Sequence, residues 1–192
     1  MFNVKGDMKP IIKHLDKTQK KQIPFAAAQA INNTLFDIMK AEKAQLPKKL
    51  DRPTPFTMKG FRINKAKKTE LVGDIHITRE RYKYLKYAIE GGTRTGNVLY
   101  PTEHANLNQY GNIKGLRNGL KLKKNQFKAK IGNTYGIWEK TKSGTKLIIL
   151  FANSARYKEK RFPFYKIADG VARKKFQRNF QKSLKRALDT AR

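Results

Sequence analysis

Positive charge is the property that most constrains this chain. Lysine and arginine number 44 against 14 aspartate and glutamate residues, which gives a formal net charge of +30 over 192 residues. A folded body with this charge repels itself unless an anionic partner or a neighbouring subunit compensates it. The basic residues run through residues 40–70 and 156–192 and are not confined to a terminal tail. We therefore expect the folded protein to meet a polyanionic partner or surface.

The apolar content is nevertheless sufficient for a hydrophobic core. Apolar residues make up 39% of the chain, with eleven Phe and eight Tyr, and this length suits one domain. Cysteine is absent, which excludes disulfides, thiolate zinc sites and cysteine nucleophiles. The longest apolar run covers residues 147–152, far fewer than the roughly 20 needed to span a bilayer. We predict a single domain over residues 1–192, made in the cytoplasm without membrane contact.

Two amphipathic helices are predicted. The first begins at Pro24, since proline suits the first turn of a helix, and ends near Leu46. Its apolar residues recur at steps of three and four: Phe25, Ala28, Ile31, Leu35, Ile38 and Met39. A shorter helix over residues 8–22 precedes it. The second helix runs from Pro163 to about Thr190, with the apolar side Ile167, Val171, Phe176, Phe180, Leu184 and Leu188.

Short strands fill much of the middle of the chain. Residues 71–77 alternate apolar and polar side chains, as a strand with one buried face does. Residues 127–132, 135–140 and 146–153 read as further strands, the last two joined by a Ser-Gly turn. We predict an α+β fold with a small antiparallel sheet over about residues 71–153. The two helices flank that sheet, and the last packs on it through Phe176, Phe180 and Leu184.

Two segments lack a regular pattern. Prolines interrupt residues 48–68, which are basic with scattered apolar residues, so we predict an extended basic arm. The arm offers little apolar surface for its own burial and is expected to order on a neighbouring subunit or on DNA. Residues 93–124 carry scattered glycines among Asn and Lys and predict a long mobile loop, a feature that is usually functional in a compact domain.

No catalytic constellation can be found in the sequence. The acids are spread singly, whereas catalysis by paired carboxylates needs two of them in one cleft. Asp74 and His76 lie on the same side of a predicted strand and suit a metal, but no third ligand is close, so a solvated strand face is the better interpretation. Gly91 and Gly92 lack the spacing of a phosphate-binding loop. We predict a protein that is not an enzyme and holds no cofactor or metal.

Two groups of basic residues are the candidate contact sites. They either hold DNA through its phosphates without reading sequence, or pair with acidic patches on neighbouring subunits. The arm contributes Arg52, Lys59, Arg62, Lys65, Lys67 and Lys68. The last helix contributes Arg173, Lys174, Arg178, Lys182, Lys185 and Arg186.

Several short stretches resemble one family. Residues 23–32 read IPFAAAQAIN, and this segment resembles the start of the minor tail protein Z family of lambda-like phages, where a proline and an alanine-rich stretch lead into a helix. Residues 135–140 (YGIWEK) before an apolar strand are similar too. So are Tyr157-Lys158 and residues 161–165 (RFPFY) before the final helix. Residues 84–93 also look like the tyrosine-rich segment of the wider group of phage tail-completion and neck proteins.

The resemblance implies a structural virion protein that completes the tail or joins it to the head. It would assemble as a hexameric or dodecameric ring around the DNA channel. Its partners would be other neck, portal or tail proteins and, without sequence specificity, the packaged double-stranded DNA. From the charge and the tyrosines alone, a free nucleic-acid-binding or DNA-condensing protein stays open as the alternative.

Overall fold

The structure is a computed structural model that describes residues 1–5, 17–115, 119 and 121–190. The described residues combine helices with two antiparallel sheets, so the predicted α+β class is confirmed. The elements are β1 (Phe2–Lys5), α1 (Lys17–Lys49), α2 (Pro55–Met58), β2 (Phe61–Asn64), β3 (Val72–Ile77), α3 (Arg79–Ile89), β4 (Gly92–Pro101), β5 (Gln126–Ile131), β6 (Thr134–Thr141), β7 (Gly144–Tyr157) and α4 (Phe164–Asp189).

These elements form two compact units. The helical unit comprises Met1–Leu85 and Arg161–Arg192, and the sheet unit comprises Lys86–Lys160. That residues 1–192 form a single domain stays a prediction.

The core of the helical unit lies between its two long helices. Ile23 and Ala27 of α1 are fully or almost fully buried and pack against Phe180 and Leu184 of α4, with Leu71 beside them. Full burial of an aliphatic or aromatic side chain of this size contributes about 1.5–3 kcal/mol. Phe176, Phe180 and Leu184 were predicted to pack the last helix on the sheet, and that partner is wrong. Phe180 and Leu184 pack against the first helix, and Phe176 is half-buried and stacks on Phe180, with ring centroids 6.4 Å apart.

The first helix is longer than predicted at both ends. It includes Pro24 and Pro47, which were expected to mark its start and its stop. A proline in a helix interior costs about 3 kcal/mol, and here the burial of Ile23 just before Pro24 offsets much of that cost. Residues 17–22 of the predicted shorter helix belong to α1, and the remainder of that prediction lies outside the described residues.

A three-stranded antiparallel sheet of order β1-β3-β2 completes the helical unit. Ile75 in the central strand is fully buried and lies opposite Phe2 on one side and Ile63 on the other. The strand predicted at residues 71–77 is confirmed, with Gly73 and Ile75 on its buried face. Its partners were not foreseen, because both are four-residue strands, β1 far away in sequence and β2 within the proline-interrupted arm.

The predicted extended arm is wrong for much of its length. Residues 48–68 contain α2, whose first turn is capped by Thr54, and β2, which pairs with β3. Phe61 is buried against Phe162 and Phe164, with ring centroids 6.3 Å apart in each pair. Of the apolar residues interleaved in the arm, Phe61 is thus buried in the same unit and Phe56 stays exposed, while the cations stay at the surface.

The sheet unit is built on a four-stranded antiparallel sheet of order β4-β7-β6-β5. The strands predicted at residues 127–132, 135–140 and 146–153 are confirmed as β5, β6 and the middle of β7. Ile137, Ile148 and Ile149 form its buried core, which Ala105 and Ile113 of the following loop help to cover. The described residues therefore form two separate sheets, and the single predicted sheet over residues 71–153 is wrong.

The loop predicted at residues 93–124 is partly strand. Its first nine residues belong to β4, which pairs with β7 along its length. A register shift between Thr95 and Val98 breaks the two-residue period that would have identified the strand. The Thr102 side chain donates a hydrogen bond to the Leu147 carbonyl at 2.7 Å and holds the start of the remaining loop. Among the described residues, no helix is long and apolar enough to cross a membrane.

Candidate nucleic-acid interface

All twelve predicted contact residues lie at the surface of the helical unit. In the arm segment, Arg52 forms an ion pair with its neighbour Asp51 at 3.1 Å, and Arg62 donates to the Lys59 and Phe61 carbonyls. Lys65 places its ammonium 5.5 Å from the centroid of the Phe36 ring. In the last helix, Arg173 is paired with Asp169 at 2.8 Å.

An exposed row of α1 separates the two groups of cations. Phe25, Gln29, Asn33 and Phe36 recur at steps of four, four and three, so they lie on one side of the helix. We call this row the aromatic stripe. Phe25 is 50% exposed and Phe36 is 43% exposed. Phe25 was predicted to face the core, and that assignment is wrong.

Two grooves run along the aromatic stripe, each with a volume of about 380 Å³. The first contains Lys65 and Lys68 from the arm segment, and the second contains Lys182 and Arg186 from α4. We call these four residues the groove cations. The other eight predicted contact residues do not line either groove: Arg52, Lys59, Arg62, Lys67, Arg173, Lys174, Arg178 and Lys185.

Hydrogen bonds between the elements hold both grooves in shape. The Asn32 side chain donates to the Ala66 carbonyl at 3.0 Å and accepts from the Ala66 amide at 2.8 Å, which fixes the arm segment to α1. The Asn179 side chain of α4 donates to Thr34 at 3.1 Å and to Asp37 at 3.0 Å. Groups already tied in this way need little reordering when a ligand binds.

The electrostatic character of the grooves is cationic. Asp37 is the only acid among the described residues that line them, and its carboxylate accepts the hydrogen bond from Asn179. Neither Lys182 nor Arg186 forms an ion pair within the described part of the chain. Beside them, the buried Ser183 hydroxyl makes no hydrogen bond to the described residues. The grooves therefore offer donors and positive charge to an anionic ligand.

The Asp74 and His76 pair is a local contact. His76 Nδ1 lies 2.8 Å from Asp74 Oδ2, and Asn64 donates to the other Asp74 oxygen at 2.9 Å. No group of three metal-binding side chains occurs among the described residues. His104 lies beside Glu103 at 3.6 Å in the sheet unit, and His14 is outside the described residues. Gly91 and Gly92 both have positive φ, and Gly92 is the first residue of β4.

Glu42 is a buried acid that the sequence does not distinguish from surface acids. It is 0% exposed, and neither carboxylate oxygen has a hydrogen-bond partner in the described part of the chain. Burial raises the pKa of Glu42 to about 8, because the charged form loses its hydration. Glu42 is thus a neutral acid in the core of the helical unit at neutral pH.

The chain matches no known protein family, no curated protein and no solved structure. The aromatic stripe and the groove cations are therefore the basis on which a function is argued.

Proposed function

We propose that this protein is a non-enzymatic structural subunit of a tailed-bacteriophage particle, acting in tail completion or in joining the tail to the head. In this role it contacts the packaged DNA without reading its sequence. The short motifs shared with the minor tail protein Z family support the particle. The groove cations support the contact with DNA.

The observation that carries the DNA contact is the meeting of two cationic segments on one surface. Lys65 and Lys68 are far in sequence from Lys182 and Arg186, yet all four line grooves along the same helix face. Like charges gathered in this way destabilise the free protein. Phosphates relieve that repulsion and release counterions when they bind.

A second copy of the chain is a poor ligand for this surface. Each copy carries a net charge of +30, so two grooves facing each other would repel. A hexameric or dodecameric ring, as the resemblance implies, would place its contacts between subunits elsewhere. It would leave the grooves to the DNA channel or to acidic neck, portal or tail proteins.

The proposal predicts a specific change in salt dependence. Replacement of all four groove cations with glutamine should weaken binding to duplex DNA. It should also flatten the plot of log affinity against log salt by about three to four, because each phosphate that a cation neutralises adds about 0.9 to the slope. Fluorescence anisotropy with duplexes of unrelated sequence across a salt series measures both quantities.

A matched variant controls for net charge. Lys59, Lys67, Lys174 and Lys185 come from the same two segments and are exposed outside the grooves. Their replacement with glutamine removes the same charge and should change the slope less. Equal slopes for the two variants would contradict a role for the grooves.

The alternative is a free nucleic-acid-binding or DNA-condensing protein. The exposed Phe25 and Phe36 rings favour it, since bases stack on aromatic side chains in such proteins. The two functions differ in assembly. A closed ring in sedimentation at physiological salt, with or without DNA, supports the particle subunit. A monomer or dimer that coats DNA supports the alternative.

A further inference from the structure

The aromatic stripe presents exposed rings and amide side chains, which contacts to phosphates alone do not use. Phe25 and Phe36 are separated by three helical turns, or about 16 Å along the helix axis, and both rings are about half exposed. The amide side chains of Gln29 and Asn33 lie between them on the same side. Single exposed apolar side chains are common, but here two rings, two amides and flanking cations form one row.

Lys65 places a cation that can bind a phosphate beside the Phe36 ring. Its ammonium lies over one face of the Phe36 ring, 5.5 Å from the centroid, so a base that stacks on Phe36 takes the opposite face or displaces this flexible side chain. A nucleotide carries its phosphate one sugar away from its base, so a base stacked on Phe36 brings a phosphate within reach of Lys65. The groove on the other side of Phe36 presents Lys182 and Arg186 to the neighbouring phosphates.

We propose that the aromatic stripe binds a single nucleic-acid strand with unpaired bases, and that Phe36 is its main stacking platform. This inference depends on the proposed function for nucleic acid as the ligand. A duplex keeps its bases inside its own stack and offers the grooves only phosphates. An unpaired strand offers phosphates and base faces, and therefore gains an additional contact.

Substitution of Phe36 tests the stacking contact directly. The probes are a fluorescein-labelled oligothymidylate and a duplex with the same number of phosphates, at the same salt concentration. Phe36→Ala should weaken oligothymidylate binding by about 5- to 150-fold, the range typical of removing the ring under one stacked base. It should weaken duplex binding much less, because a duplex offers the ring no base face. Phe36→Tyr should restore the binding, because the ring is kept.

Phe56 provides the matched control. It is 51% exposed, and the Arg81 guanidinium lies 3.8 Å from its ring centroid, but it lines neither groove. Phe56→Ala should bind both probes as the unaltered protein does. Circular dichroism of each variant checks that the helices are intact.

Three outcomes would overturn the inference. The first is equal oligothymidylate binding by Phe36→Ala and Phe56→Ala. The second is a loss of duplex affinity in Phe36→Ala that equals its loss of oligothymidylate affinity. The third is a polyglutamate competitor that displaces the strand and whose own binding weakens equally in Phe36→Ala. If the groove cations matter and Phe36 does not, stacking fails while the proposed DNA contact survives. If neither matters, the proposed DNA contact fails as well.

Discussion

Glu42 couples the stability of the protein to pH at the scale of one residue. Its pKa of about 8 in the folded state lies above the ordinary value of 4.5. Between these values the folded protein holds a proton that the unfolded chain has released. The free energy of unfolding therefore falls as pH rises from about 4.5 to about 8, and this group adds no further change outside that window.

Glu42→Gln should remove this dependence, because the amide does not titrate. We expect the variant to gain stability relative to the unaltered protein by a few kcal/mol between pH 5 and pH 9. Thermal unfolding followed by circular dichroism at both pH values measures the difference, which cancels the histidines common to both proteins. Glu70→Gln, at an exposed acid, should not change it. Parallel curves for Glu42→Gln and the unaltered protein would show that Glu42 has a different environment.

At the scale of elements, two glycines differ in the space around them: Gly73 leaves no room for a side chain, whereas Gly170 is an open position within a helix. A Cβ at Gly73 in β3 would lie 2.7 Å from Leu35 Cδ1 of α1, and 3.1 Å from the Asn64 carbonyl oxygen. A Cβ at Gly170 in α4 would meet no described atom within 4 Å beyond its chain neighbours and its own helix backbone.

Alanine should therefore have opposite effects at the two sites. Gly73→Ala should destabilise the protein by about 1–3 kcal/mol, because the strand is forced away from α1. Gly170→Ala should stabilise it by about 1 kcal/mol, since glycine is a poor residue for a helix interior. Urea unfolding of the two variants and the unaltered protein measures both changes. Stabilisation by Gly73→Ala would mean that β3 and α1 are not in close contact.

Local patterns predicted the elements that carry a regular period of their own. The strands β5, β6 and β7 are joined by short turns, and α4 carries a continuous apolar side, so all four were found from the sequence. A bulge concealed β4, and β2 is a four-residue strand in the proline-interrupted arm, too short to show a period. β1 pairs with β3 far along the chain, and periodicity carries no information about a pairing between distant segments.

The candidate site divides in the same way. The excess of Lys and Arg in the arm segment and in the last helix identified all four groove cations, because such an excess is visible within each segment by itself. The aromatic stripe was missed, since Phe25 fits the apolar side of a helix as well as its exposed side. Only the packing of α4 and the binding of Ala66 by Asn32 decide which side of α1 is left open.

At the scale of the whole molecule, the charge of +30 must be compensated by something other than the chain itself. Arg178, Lys182 and Arg186 follow each other at four-residue steps on the exposed side of α4. Like charges at this spacing destabilise a helix by a few tenths of a kcal/mol per pair, roughly the reverse of a favourable pair. Phosphates that bind to this surface are expected to relieve this repulsion.

Reversal of these three charges together tests the role of the whole surface in a particle. The variant with Glu at Arg178, Lys182 and Arg186 should fold normally, because Phe180 and Leu184 still pack against Ile23 and Ala27. Under the proposed function, it should fail to complete particles or to retain DNA in them. Electron microscopy and measurement of packaged DNA after complementation give the result, with circular dichroism as the check on folding. Normal particles that retain their genome would mean that this face of α4 is solvated surface and holds no DNA.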